Sequence, residues 1–403
     1  MATVAQTGDT LVEPQSGRTR SGAARLDAID MLRGLVIALM VLDHVRDFFH
    51  YDALRFDPTD PSKTWLALYL TRWVTHLCAP TFVFLAGASI WFQHDNGKTG
   101  AALSAFLVKR GLWLLLLEVT VISFGFNFAE PFLFLQVIWA IGMGMICMAA
   151  ISRLPTRAVL GLGIALVALC PFAIAATDGA TGAASVARAL FLAPNLFLQV
   201  PALVVYPVLP WLGIMCIGFG LAPIFRSEPA QRRRHVLQLA IGMLALFVML
   251  RTINLYGDPA SWQHLPSMEQ TLFSYFQVSK YPPSPDYVLV TLGVSLLLFL
   301  GLEHLRGPLA RVLLAFGRTP LFTYLCHLYI AHGLMLVVAL AMGFPAAVAT
   351  DVILGGKTVA MNWGFPLWGA WLVWLTVLAL LYPLSRWFEG IKRRRRDWWL
   401  SYL

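Results

Sequence analysis

Along this chain, apolar runs of membrane-spanning length alternate with short joints that are charged or carry Gly and Pro. Helical spans are expected near residues 31–50, 69–93, 106–126, 131–151, 157–176, 202–225, 235–256, 286–305, 312–341 and 366–388. The pattern predicts an all-α fold, a polytopic membrane bundle of about ten transmembrane helices. Cationic joints fall on alternate turns: Arg18, Arg20 and Arg25; Lys98, Lys109 and Arg110; Arg153 and Arg157; Arg232 to Arg234; Arg306 and Arg311; and Lys392 to Arg396. The positive-inside rule then puts both termini in the cytoplasm of a multi-pass membrane protein. Residues 1–25 have no apolar core and read as a disordered cytoplasmic tail. The membrane domain is expected over 26–390. A basic and aromatic tail follows at 391–403, with Trp398 and Trp399 at the interface.

Composition excludes a soluble domain: of 403 residues, 58% are hydrophobic and only 13% charged. A net charge of +9 suits topology and membrane lipids better than nucleic acid. Cys78, Cys147, Cys170, Cys216 and Cys326 stand singly in apolar runs without metal-ligand spacing, so neither disulfides nor a metal site is expected. The Gly142–Gly144 and Gly213–Gly220 segments allow close helix packing, within one chain or in an oligomer.

Ionisable groups in the first apolar run change the picture. Asp30, Arg33, Asp43, His44, Arg46, Asp47 and His50 all lie in or beside it. Each such group costs roughly 2.5–3.5 kcal/mol at a bilayer centre, so a chain that keeps them generally uses them. Eleven steps of about 100° bring His44 back to nearly the face of Arg33, about 16 Å along the axis. Three more clusters follow: Arg72, Thr75 and His76; Arg251 and Asn254; and Tyr324, His327 and His332. Any one of them could simply neutralise itself and set helix register. Gln136 reads as a helix-to-helix hydrogen bond, and Glu118 and Glu130 as hydrated groups near a helix end. Four clusters together predict a shared polar cavity. Within it, a neutral imidazole could remove a proton from a hydroxyl or amine, and Asp47, at i+3 from His44, is the expected orienting carboxylate. No nucleophile elbow, phosphate-binding loop, zinc motif or dinucleotide fingerprint appears.

Several stretches resemble one family. They are Arg25-Leu-Asp-Ala-Ile-Asp-Met-Leu-Arg-Gly-Leu35 with Met40-Val-Leu-Asp-His44, and Thr71-Arg-Trp-Val-Thr-His-Leu-Cys-Ala-Pro-Thr-Phe-Val-Phe-Leu-Ala-Gly87. Tyr206-Pro-Val-Leu-Pro-Trp-Leu-Gly213 and Lys280-Tyr-Pro-Pro-Ser284 complete the set. Together they are similar to the bacterial branch of the heparan-α-glucosaminide N-acetyltransferase catalytic-domain family, one of the transmembrane acyltransferases. The resemblance implies acetyl transfer from cytoplasmic acetyl-CoA to a hydroxyl or amine of an extracytoplasmic sugar or glycan. It maps His44 to the acyl-transfer base or a transient acyl carrier and Arg33 to donor binding or support, and implies a bacterial inner membrane; Asp47 and Asp43 are the expected helping carboxylates. His50 competes with His44 as the base, because the lysosomal enzyme carries its histidine in the loop after this helix. Arg72, His76, Asn254, Tyr324 and His327 are the expected oxyanion or acceptor contacts. The alternative is a proton-coupled transporter or flippase using the same charges, and a third reading is a non-catalytic scaffold.

Overall fold

The structure is a computed structural model describing residues 26–128, 132–350, 352–353, 355–395, 397 and 400. The expected tail 1–25, Glu130, Arg396, Trp398 and Trp399 lie outside the described residues. The helices are α1 (Asp27–Phe49), α2 (Leu66–Thr75), α3 (Cys78–Asp95), α4 (Gly100–Leu117), α5 (Ser123–Asn127), α6 (Val137–Ile151), α7 (Thr156–Ala176) and α8 (Gly182–Phe191). They continue as α9 (Val208–Leu221), α10 (Pro229–Ile253), α11 (Met268–Phe276), α12 (Pro285–Leu302), α13 (Pro308–Arg318), α14 (Pro320–Ala341), α15 (Gly356–Ala360) and α16 (Leu367–Arg394).

Among the described residues, seven helical segments are long and apolar enough to cross a membrane. The expected spans 31–50, 106–126 and 131–151 are not among them. The first is α1, which carries Asp27, Asp30, Arg33, Asp43, Arg46 and Asp47 in its 23 residues. The second is interrupted after α4 by a π-helical turn, Glu118–Ile122. The third is shortened to the 15 residues of α6 because Leu133–Leu135 forms a strand, β1. With β2 (Asn195–Phe197) and β3 (Ala202–Val204) it makes a small sheet in the order β1-β3-β2. The β1–β3 pair is parallel and the β2–β3 pair antiparallel. Three-residue strands are too short to leave a period-two signature, so the all-α expectation missed them.

Helix α1 is the axis of the bundle, packed by α2, α3, α12, α13, α14 and α16. Gly34 and Gly317 let α1 and α13 cross at backbone contact: a Cβ at either would collide with a carbonyl of the other helix, Leu313 or Asp30. Prolines set two breaks. Pro80 has no N–H to offer the carbonyl of His76, and that carbonyl instead accepts the buried Tyr287 hydroxyl at 2.8 Å. Thr319, before Pro320, leaves the helical region with φ −126° and ψ 48°, which divides the expected 312–341 run into α13 and α14.

Arg318 reaches both Asp27, at the start of α1, and Glu389, near the end of α16, with hydrogen bonds of 2.9 and 2.8 Å. The start of the first helix and the end of the last therefore meet at one face of the bundle. Arg232, Arg233, Arg306 and Arg311 surround a hollow there with Asp27, so several of the cationic joints cluster at that same end.

Candidate active site

Two cavities lie along α1. One, of about 480 Å³, opens around its C-terminal half and is lined by Asp43, His44, Arg46, Asp47, Arg72 and Lys280 with aromatic neighbours. The other, of about 670 Å³, lies toward its N-terminal half. Apolar side chains of α3, α4, α6 and α14 make most of its wall, joined by Arg33, Ser89, Gln93, Arg110 and Tyr324. Helix geometry explains the division: Arg33, Met40 and His44 follow one another at spacings of seven and four on a single face of α1.

Asp43 organises the polar cavity. Its carboxylate accepts Arg72 Nη1 at 2.7 and 2.9 Å and Thr75 Oγ1 at 2.9 Å. Arg46 Nη2 stands 3.2 Å away and Lys280 Nζ 3.6 Å. Asp47 takes Arg46 Nη2 at 2.5 Å, so three cations share two carboxylates. This network keeps costly charges paired beside the apolar bundle.

His44 has a partner that sequence spacing did not indicate. Its Nδ1 lies 2.7 Å from Nε2 of His327, with the rings stacked at 5.0 Å and 23°. One nitrogen donates and the other accepts, so the contact ties the tautomer of one ring to that of the other. His327 is fully buried on α14. Asp47 is engaged by Arg46 instead, and the expected Asp47–His44 orientation is replaced by a histidine pair. Phe126 closes the edge of the His44 ring at 5.1 Å.

Several expected contacts lie away from both cavities. His76 sits at the α2–α3 break, buried, edge-on to Tyr287. His50 caps α1 and hydrogen-bonds through Nδ1 to the Phe365 carbonyl at 3.1 Å. Asn254 ends α10 in the left-handed region at φ 59° and brackets Trp262, donating to its carbonyl and accepting its N–H. Its neighbour Arg251 spreads its guanidinium over the carbonyls of Tyr275, Ala260, Ser274 and Gln277. His332 touches two backbone carbonyls, Gly125 and Ala349, both at 2.7 Å. His50, Asn254, Arg251 and His332 are thus bonded to backbone, whereas His76 packs its ring on Tyr287. Arg72 does line the polar cavity, whereas Tyr324 faces the apolar one, its buried hydroxyl without a hydrogen-bond partner.

Arg33 is braced at the other end. It donates to Asp30 at 2.9 Å, to the Gly317 carbonyl at 3.3 Å and to Ser89 Oγ at 3.3 Å. Arg110 lines the same cavity from α4. The π turn contributes as well: Glu118, fully buried, accepts the backbone N–H of Gln136 and so fixes the start of α6 between the cavities. Among the described residues, no set of three His, Cys, Asp or Glu side chains could hold a metal ion.

The fold and these cavities define a multi-pass helical membrane protein in which a half-buried histidine at the polar chamber pairs with a fully buried one on another helix. A family profile described as heparan-alpha-glucosaminide N-acetyltransferase, catalytic, matches residues 25–254. That is more than half of the chain, and the protein belongs to this family, a membership that places it among membrane acetyltransferases. The match holds Arg33, Asp43, His44 and Arg72, while Lys280, Tyr324 and His327 lie beyond it. A search of curated proteins found no match.

Proposed function

We propose that the protein moves an acetyl group from acetyl-CoA in the apolar cavity to a hydroxyl or amine of a sugar in the polar one. The observation that carries this reading is the arrangement of Arg33, Met40 and His44 on one face of α1, one at each chamber and one between. The end of the bundle with the arginine cluster is taken as cytoplasmic. This assigns the donor to the cytoplasm, the acceptor to the extracytoplasmic side and the protein to a bacterial inner membrane.

In this mechanism Arg33 and Arg110 hold the phosphates of the donor, since guanidinium groups pair well with phosphate oxygens. The pantetheine arm runs along the apolar wall, where the Tyr324 hydroxyl is placed to meet one of its amides. His44, with Nδ1 occupied by His327, keeps Nε2 for the acceptor. Nε2 takes the acceptor proton as the oxygen or nitrogen attacks the thioester carbonyl, and the C–S bond breaks. The proton then passes from His44 to the departing sulfur, releasing CoA thiol and the acetylated sugar. Gln136 lines the polar cavity with an unpartnered side-chain nitrogen and is the candidate for the developing oxyanion. His327 acts as a positioning residue, and Asp43 maintains the cationic wall.

The experiment is thiol release from acetyl-CoA by the purified protein, supplied with a panel of sugars and glycan fragments. Acceptor-dependent release that disappears in folded His44→Ala supports the proposal. Full turnover in that variant removes His44 from the mechanism. A transporter would instead move its substrate without consuming a thioester.

A further inference from the structure

Met40, Phe82 and Val137 line both cavities, the three residues shared between them among the described residues. Each comes from a different helix, and on each helix the lining residues run from one chamber to the other through it. On α1 the order is His44, Met40, Arg33. On α3 Cys78 and Ala79 face the polar chamber, whereas Leu85, Ser89 and Gln93 face the apolar one, with Phe82 between. At α6, Gln136 belongs to the polar side and Ile138, Ile141 and Met145 to the apolar side, with Val137 between. Met40 and Val137 are 6% and 8% exposed.

We infer that these three side chains form a septum that the acyl group must pass to reach His44, and that the septum sets the acyl length the enzyme accepts. This rests on the donor and acceptor assignment above. The apolar chamber, at about 670 Å³, is far larger than an acetyl group and cannot select by its own size. Selection therefore falls where the chambers meet. Met40, unbranched and flexible, can move aside, while the Phe82 ring and the branched Val137 limit the width. The same septum keeps water of the polar chamber from the thioester, so that the acyl carbon meets the acceptor rather than water.

The test compares acetyl-CoA with hexanoyl-CoA in purified wild-type, Phe82→Ala, Phe82→Trp and Ile90→Ala proteins. Acetyl-CoA affinity is measured by calorimetry, and thiol release is followed with an acceptor sugar for transfer and without one for hydrolysis. In Phe82→Ala the ratio of hexanoyl to acetyl turnover should rise at least tenfold. Hydrolysis should rise with it, water's oxygen replacing the sulfur on the acyl carbon and CoA leaving as the thiol. Phe82→Trp should bind acetyl-CoA normally yet release little thiol. Ile90→Ala enlarges the apolar chamber about two turns from the septum and should leave the ratio unchanged. An unchanged ratio in Phe82→Ala that still binds acetyl-CoA overturns the septum alone. Should Phe82→Ala fail to fold, Val137→Ala carries the same expectation. Wild-type protein that binds no acetyl-CoA overturns the donor assignment, and the septum with it.

Discussion

His44 and His327 meet through a single hydrogen bond, Nδ1 to Nε2 at 2.7 Å, although they are 283 positions apart in the chain. The pair joins α1, inside the family match, to α14, beyond it. If His327 positions the base, His327→Ala should lower kcat by about 10²–10⁴-fold, the usual contribution of general acid–base catalysis. KM for acetyl-CoA should barely move. His327→Gln, which keeps a donor and an acceptor, should recover part of the loss. A fall in donor affinity with unchanged kcat would instead place His327 in the donor site.

Asp43 binds Arg72, Thr75, Arg46 and Lys280 at once, with only 11% of its side chain exposed. Asp43→Asn would leave three clustered cations facing one another. Removing one partner of a buried ion pair costs about 3–5 kcal/mol, so thermal unfolding in detergent should show a large loss. Asp47 is 35% exposed and, among the described residues, its ion pair is with Arg46, so Asp47→Asn should lower the midpoint far less. Equal effects would mean that Asp43 does not organise the cavity wall.

Tyr287 serves a carbonyl that Pro80 leaves without a donor. Tyr287→Phe should cost about 1–3 kcal/mol, the penalty of an unsatisfied buried acceptor. In a Pro80→Ala background the alanine N–H can take over that carbonyl, and the same Tyr287→Phe change should cost much less. A double-mutant cycle in thermal unfolding measures the coupling directly. Strict additivity would contradict this account of the α2–α3 break.

What the sequence made visible follows from cost. Charges in an apolar run are expensive, so Arg33, Asp43 and His44 stood out, and helix periodicity alone placed Arg33 and His44 on one face. Partner choice was hidden. Asp47 is near His44 in sequence, but Arg46 is nearer in space and claims it, leaving His44 to a residue on another helix. His50 and Asn254 hydrogen-bond to backbone, and His76 packs its ring against Tyr287, placements that residue type alone does not reveal. Met40, Phe82 and Val137 gave no signal because an apolar residue in a membrane helix is the background. Glycines were the reverse case: Gly34 and Gly317 mark a helix crossing that only the assembled bundle reveals.

Donor binding bears most directly on the central claim, and calorimetry with detergent-purified wild-type and Arg33→Ala proteins measures it. The account predicts saturable acetyl-CoA binding by the wild-type protein, weakened at least tenfold when the braced guanidinium of Arg33 is removed. Folded wild-type protein that binds no acetyl-CoA, or Arg33→Ala binding it unchanged, would contradict a donor chamber at this end of α1.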